Sequence, residues 1–258
     1  MTSLREIVDS MAAGDGCLTA EAPAAWSQGR TLYGGMTADL CFEAASRLAP
    51  DIPLRSAHLL FAGPAGGMLT LRPQLLRAGR SSAAISVTCS SEAGEAALAT
   101  FAFGSERDSR VDFAAPRRPV PDRAPEACPL FVERTGGFHD RFELRLAEGS
   151  ALMSGGPPDF TVWVRFREAQ AVNPVTALLA LADALPPAAM ASFPERGPIS
   201  TITWSIDLID KVEAVDGWFL LRSASEQTRG GYSTQAMDVW EASGRHVASG
   251  RQLVAIFI

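Results

Sequence analysis

The residues of this chain best suited to chemistry are a glycine pair, an isolated glutamine and a few charged side chains on strands and hairpins. Gly34 and Gly35 run straight into YGGMTADLCFEAASRLAP, Tyr33 to Pro50, an apolar-periodic stretch long enough for a buried helix. Lacking a Cβ, the two glycines let a ligand's polar atom approach the first free N–H groups of that helix, which fall at Gly35 and Met36 and suit an oxyanion. The same pair also serves as a tight turn feeding a core helix. Gln252 shares a strand face with Ala248, Gly250, Val254 and Ile256, so its amide is expected to be buried. Unpaired, it would cost about 1 to 3 kcal/mol, so it needs partners or a ligand. His58 sits in an apolar strand, as a base or as a hydrogen-bonded core residue. Arg77 and Arg80 flank the hairpin glycine Gly79 and could hold phosphate groups or simply be solvated.

These residues must be positioned by the elements around them. On the helix after Tyr33, residues Met36, Leu40, Ala44, Ala45 and Leu48 form one apolar stripe, and Asp39, Glu43 and Arg47 line another face. A short helix is predicted over 3–12 with Ser3 as its N-cap, and a strand over Cys17 to Ala20. Four strands follow at Leu54 to Gly63, Met68 to Arg77, Ser82 to Ser91 and Ala96 to Gly104, separated by loops of hairpin length. From Ser105 to Pro129 the composition turns to Arg, Asp and Pro, which reads as a linker. Strands at Phe142 to Ala147 and Phe160 to Arg167, a helix from Pro174 and four more strands complete the chain.

The second half repeats the first. Met36-Thr37-Ala38-x-Leu40 matches Val175-Thr176-Ala177-x-Leu179, GMLTLR at 67–72 matches GWFLLR at 217–222, and Gly79 meets Gly230. The chain therefore divides into a first α+β unit over 1–108, a linker over 109–140 and a second unit over 141–258, each a helix on an antiparallel sheet.

The totals exclude several classes. At 258 residues and 47% hydrophobic content the chain can bury a substantial core. A net charge of -6 argues against nucleic acid as a general partner. The four cysteines are scattered, with no CxxC pair, and read as thiols in a reducing compartment, neither a disulfide frame nor a metal site. No apolar run reaches the ~18 residues of a membrane span, and the start lacks a signal peptide, so the cytoplasm is the expected location. No GxSxG elbow, phosphate-binding loop, dinucleotide fingerprint or HExxH string occurs, which argues against a serine hydrolase or a nucleotide-cofactor enzyme.

Helix on curled sheet, duplicated in one chain, resembles the double hotdog fold, and the motifs resemble the acyl-CoA thioesterase family of the thioesterase II type. HLLFAGP at His58 to Pro64 and LRAGRSSAAISVT at Leu76 to Thr88 fall where that family has a His-aromatic strand ending in Pro and then an Arg-x-Gly-x-Ser hairpin. ALADALPPAAM at Ala180 to Met190 resembles its Asp-containing helix end, and VASGRQLVAIF at Val247 to Phe257 its last strand, which carries a glutamine. The resemblance implies hydrolysis of acyl-CoA thioesters by a directly activated water, with no cofactor beyond the CoA of the substrate. The water is held by an Asp, a Ser or Thr and a Gln of the second half, and the thioester carbonyl points at the first helix N-terminus.

On that footing Gln252 matches the glutamine. The hydroxyl falls in SASEQTRGGY, at Thr228 first and Ser225 second. The position matching the family's aspartate is Thr203 in TITWSIDL, where strand alternation places it with Thr201, Ser205 and Asp207, opposite Ile202, Trp204, Ile206 and Leu208. A threonine is no base near neutral pH, so Asp183 stands as the substitute acid, or as a structural acid at the helix end. His58 and Gly34 would line the substrate site, with Arg77 and Arg80 on the CoA phosphates. The resemblance also implies a homodimer or larger assembly. Two other functions stay open: an acyl-CoA binding protein without efficient turnover, favoured by Thr203, and a hydratase or dehydratase on the same fold, which needs an Asp/His pair.

Overall fold

A computed structural model describes residues 2–114, 121–133, 136–208 and 210–258. Helix α1 (Leu4–Asp9) opens with Ser3 as N-cap in a capping box with Glu6. Short strands β1 (Ala12–Gly14), β2 (Cys17–Glu21), β3 (Ser27–Gln28) and β4 (Thr31–Leu32) lead to helix α2 (Gly34–Ser46). A meander follows: β5 (Leu54–Phe61), β6 (Met68–Ala78), β7 (Ser82–Ser91) and β8 (Gly94–Gly104). The second half runs β9 (Phe142–Gly149), β10 (Asp159–Phe166), helix α3 (Pro174–Ala182), β11 (Ile199–Asp207), β12 (Phe219–Arg229), β13 (Tyr232–Glu241) and β14 (His246–Ile256).

Among the described residues, twelve strands form one antiparallel sheet in the order β1-β2-β6-β7-β8-β5-β11-β14-β13-β12-β10-β9. The halves meet at β5 and β11, whose ladder runs from Thr203↔Leu60 to Asp207↔Ser56. The duplication is visible in the irregularities as well as in the order. The β6–β7 ladder shifts register between Leu75 and Arg77, and β12–β13 shifts between Ser225 and Gln227. A bulge repeated at the same place in both hairpins twists both the same way, so the two sheets curl alike around the helices. The fold is a double hotdog.

The span read as a linker is docked where it is described. Leu130 bridges Arg145, the Phe131 N–H donates to Leu144 O at 2.9 Å, and Leu146 N–H donates to Pro129 O at 2.9 Å. The parts of that linker at 115–120 and 134–135 lie outside the described residues. Near its end, Phe138 stacks on Tyr33 with centroids 4.1 Å apart, tying the linker to the entry of α2. No helix among the described residues is long and apolar enough to cross a membrane.

Two sequence expectations fail here for physical reasons. Leu48 lies beyond the end of α2 and is exposed, whereas Asp39, expected on a polar face, is only 1% exposed. The polar face of α2 is covered because α3 packs antiparallel against it: the glycine end of α2 meets Asp183 past the end of α3, and Thr176 on the first turn of α3 donates to Glu43. Neither Asp39 oxygen makes a hydrogen bond of ordinary geometry among the described residues. Burial, then the negative charges of Glu43 and Asp183, push its pKa well above the ordinary value, against a small pull from the Ala180 backbone. Burial therefore favours its neutral form.

A raised folded-state pKa means that Asp39 contributes most stability below its unfolded pKa, and that this is lost as pH rises through the folded value. Asp39→Asn should accordingly raise the denaturation midpoint, with a larger gain at pH 8 than at pH 4. Equal urea midpoints of the two proteins at both pH values would show that Asp39 carries no such penalty.

Candidate active site

The strongest polar constellation is built where the two helices and the second-half sheet converge. Asp183 is the C-cap of α3, and its Oδ1 accepts a hydrogen bond from Gln252 Nε2 at 2.6 Å. Gln252 is 6% exposed on the helix-facing side of β14. Burial pushes the Asp183 pKa up to about 7, against the opposing pull of the hydrogen bonds from Gln252 and the Gly35 amide. The residue as a whole is half-buried, and its carboxyl titrates near neutrality.

Helix α2 prepares this spot by what it lacks. Its N-cap Tyr33 gives no side-chain cap, because the phenol is turned inward, where its hydroxyl donates to Ala180 O at 2.7 Å. A Cβ on Gly34 would lie 2.7 Å from Asp183 Oδ2, and one on Gly35 would lie 2.7 Å from the Tyr33 ring. Only glycines let the carboxylate and the aromatic both approach the helix end. The Gly35 amide, expected to serve an incoming oxyanion, is thus already turned to Asp183.

The hydroxyl neighbour of Gln252 is one that strand alternation hides. In the β11–β14 ladder Thr201 pairs with Val254, then a bulge absorbs Ile202, and Thr203 pairs with Leu253 and Trp204 with Gln252. Cross-strand partners share a face, so Thr201 stands on the inner side with Val254 and Gln252. It is diagonal to Gln252, at the ~7–8 Å Cα spacing of such pairs. Thr203 lies on the outer side, with partly exposed Leu60 and Leu253 as its ladder partners. The bulge separates two threonines that unbroken alternation would keep together, and Thr203 falls away from Asp183.

The other expected residues are dispersed. His58 is exposed on the same outer side, its Nε2 3.2 Å from Ser56 Oγ. Thr228 and Ser225 lie on β12, with β13 between them and Gln252. They form a hydroxyl cluster with Ser233: Ser225 to Thr228 is 3.0 Å, Ser225 to Ser233 2.9 Å and Thr228 to Ser233 3.0 Å. Arg77 and Arg80 are exposed at the β6–β7 hairpin, and in the sheet order four strands lie between β6 and β14. The structure brings together Asp183, Gln252, Gly34 and Gly35, with Met36 following on α2, and adds Thr201. Its signal in the sequence was the TIT string, readable only once the bulge is known. Among the described residues no three His, Cys, Asp or Glu side chains are placed to hold a metal ion.

Comparison with known proteins bears on the family and the fold. An acyl-CoA thioesterase N-terminal domain model matches residues 22–104, and an acyl-CoA thioesterase C-terminal domain model matches residues 114–256. No curated protein matches the chain. Among solved structures, a conserved hotdog-fold protein of unknown function from Alicyclobacillus acidocaldarius superposes with a TM-score of 0.88 at 22% identity, covering 100% of this chain and 99% of that one. The tesB protein of Mycobacterium avium subs paratuberculosis gives 0.81 at 19% identity, covering 99% and 100%. An acyl-CoA thioesterase II from Mycobacterium marinum gives 0.74 at 17%, covering 97% and 96%. At these identities the structures establish the shared fold.

A methyl group at position 34 tests the geometry directly. Gly34→Ala should force the Asp183 carboxylate off the helix end and weaken its bond to Gln252, leaving burial less opposed. The Asp183 pKa, followed by carbon NMR of the carboxyl group, should move above about 7. A titration unchanged from the parent protein would mean that the carboxylate is not held against Gly34.

Proposed function

Since the chain belongs to the acyl-CoA thioesterase family, we propose that it hydrolyses acyl-CoA thioesters by direct attack of a water deprotonated at Asp183. The observation that carries this reading is the Asp183 carboxylate, hydrogen-bonded to Gln252 at 2.6 Å and set against the glycine end of α2. A base works best when its pKa lies close to the working pH, and about 7 meets that condition where an ordinary aspartate would be too weak.

In this reading Gln252 holds the carboxylate by its N–H and leaves its amide oxygen to orient the water, with the Thr201 hydroxyl as the second contact. The thioester carbonyl points at the start of α2, where the Met36 amide and the positive end of the helix stabilise the developing oxyanion; the Gly35 amide is shared with Asp183. Water oxygen bonds to the carbonyl carbon as its proton passes to Asp183. The tetrahedral intermediate then collapses, the C–S bond breaks, and the proton goes to the departing CoA sulfur. The products are a free acid and CoA, with no covalent enzyme intermediate and no cofactor.

The two rival functions lose their motives. A binding protein without turnover was favoured by a threonine at the expected acid position, yet Thr203 faces outward and Asp183 stands beside Gln252. A hydratase needs a His beside an acid, and His58 is on the opposite side of the sheet from Asp183.

Activity and stability should respond to pH in opposite directions. The ionised form of Asp183 is the base, so kcat/KM should rise with pH through about 7 and level off above it. The neutral form is the one that burial favours, so the stability contributed by Asp183 should be lost as pH climbs from about 4 to about 7. Asp183→Asn should cut kcat by roughly 10³-fold or more while raising the denaturation midpoint at pH 8, as measured by CoA thiol release beside urea unfolding. Full turnover in this variant would exclude Asp183 as the base.

Gln252→Ala should lower kcat by about 10²-fold and move the acid limb of the pH profile upward, because the carboxylate loses a donor that favours its charged form. Thr201→Val should also lower kcat, whereas Thr203→Val should change it by less than about twofold. The reverse order of the two threonine variants in the thiol-release assay would return the water site to Thr203.

A further inference from the structure

A second glutamine, Gln235 on β13, sits directly opposite Gln252 in the β13–β14 ladder, so both amides project to the helix-facing side about 5 Å apart at Cβ. It is fully buried. Its Oε1 accepts from the Ala188 N–H at 2.6 Å and from Ser223 Oγ at 3.1 Å. A backbone N–H can only donate, so the oxygen is the atom turned to Ala188 and the orientation of the amide is fixed. This leaves Nε2, which has no acceptor among the described residues. A buried donor without an acceptor costs about 1 to 3 kcal/mol, and an apolar side chain of the same shape would avoid that cost.

The duplicated half shows what such a side chain looks like. In the first half Leu75 pairs with Ile85 and Ile85 with Phe101, just as Ser225 pairs with Gln235 and Gln235 with Gln252 in the second. Beyond the bulge, Ala78 pairs with Ala83 where Thr228 pairs with Ser233. The same backbone positions are therefore apolar in one half and polar in the other. Phe101 packs beside Phe42 on α2, 6.2 Å between centroids, and closes the first-half counterpart of the site. In the second half the polar row runs outward from Asp183 through Gln252 and Gln235 to the Ser225, Thr228 and Ser233 hydroxyls. The segment from Asp183 to Ala188 lies over it, bonded to Gln252 at one end and Gln235 at the other.

We infer that Gln235 is a specificity-determining donor, and that the acyl group this site takes carries an oxygen, hydroxyl or oxo, on the carbon two removed from the thioester carbonyl. The inference rests on the thioesterase reading for the position of that carbonyl beside Asp183. An oxygen so placed stands one residue spacing further along the row from Gln252, where Gln235 Nε2 can donate to it. An unsubstituted acyl chain leaves that donor unpaired, and sites built on a buried hydrogen bond discriminate strongly against analogues that lack the partner.

The test compares butanoyl-CoA with both enantiomers of 3-hydroxybutanoyl-CoA, by thiol release and by equilibrium calorimetric binding, on the parent protein and on Gln235→Met. The parent protein should favour one hydroxylated enantiomer by about 10- to 100-fold in kcat/KM, and Gln235→Met should bring that ratio close to one. A ratio near one in the parent protein overturns the inference whether or not the variant folds. So does a ratio that survives in Gln235→Met, or an equal loss on both substrates, which would place Gln235 in contact with the common CoA portion or in a purely structural role. If neither thioester is hydrolysed, the thioesterase reading fails, and the binding preference still decides whether Gln235 recognises the oxygen.

Discussion

The meeting of the α3 end with the α2 start is the constraint on which the rest depends. Antiparallel packing brings the negative end of one helix to the positive end of the other, a favourable alignment that also places Asp183 against the free amides of α2. The approach requires glycine at 34 and 35, an inward-turned Tyr33 and Phe138 stacked on that ring. Tyr33, Gly34 and Gly35 are consecutive, whereas Phe138 and Asp183 come from distant parts of the chain. A carboxylate buried this way is held at a cost, visible in its pKa of about 7, and the same burial suits it to the role of base in the proposed reaction.

Asp39 and Glu43 extend the acidic character of this helix interface. Glu43 is answered by Thr176, while burial first, and then the charges of Glu43 and Asp183, push the Asp39 pKa up. Tyr33 stays protonated for the same reasons, its pKa raised first by burial and then by Asp183 and Asp39. Asp183 is the member of the group whose charged form is held by a side-chain amide donor, Gln252. That difference in surroundings, more than residue type, sets the proposed base apart from the other acids of the interface.

Duplication supplied two equivalent corners, and the side chains then diverged. The ladders and bulges of the halves correspond, so the backbone offers the same pocket twice. Phe42, Phe101 and Phe103 fill the first with aromatic packing, which adds to the core. Gln252, Gln235 and the serine and threonine hydroxyls keep the second polar, giving up that packing for hydrogen bonds to Asp183, Ala188 and one another.

The sequence by itself determined two repeated units, each a helix on an antiparallel sheet, because helix periodicity, strand alternation and the internal repeat are local signals that burial enforces; the double hotdog arrangement was implied by the resemblance of its motifs to a known family. It also singled out Gly34, Gly35 and Gln252, whose chemistry stands out against apolar neighbours. The tertiary structure decided which residues meet them. A one-residue bulge at Ile202 turned Thr201 inward and Thr203 outward, and a bulge leaves no mark in hydrophobic pattern when it is flanked on both sides by threonine. Helix-on-helix packing buried Asp39 and made Asp183 a carboxylate of about pKa 7, since desolvation depends on what other segments cover and not on sequence neighbours. Gln235 passed unnoticed for the same reason: a glutamine between Thr234 and Ala236 reads as ordinary until the ladder places it opposite Gln252 and the turn at Ala188 claims its oxygen.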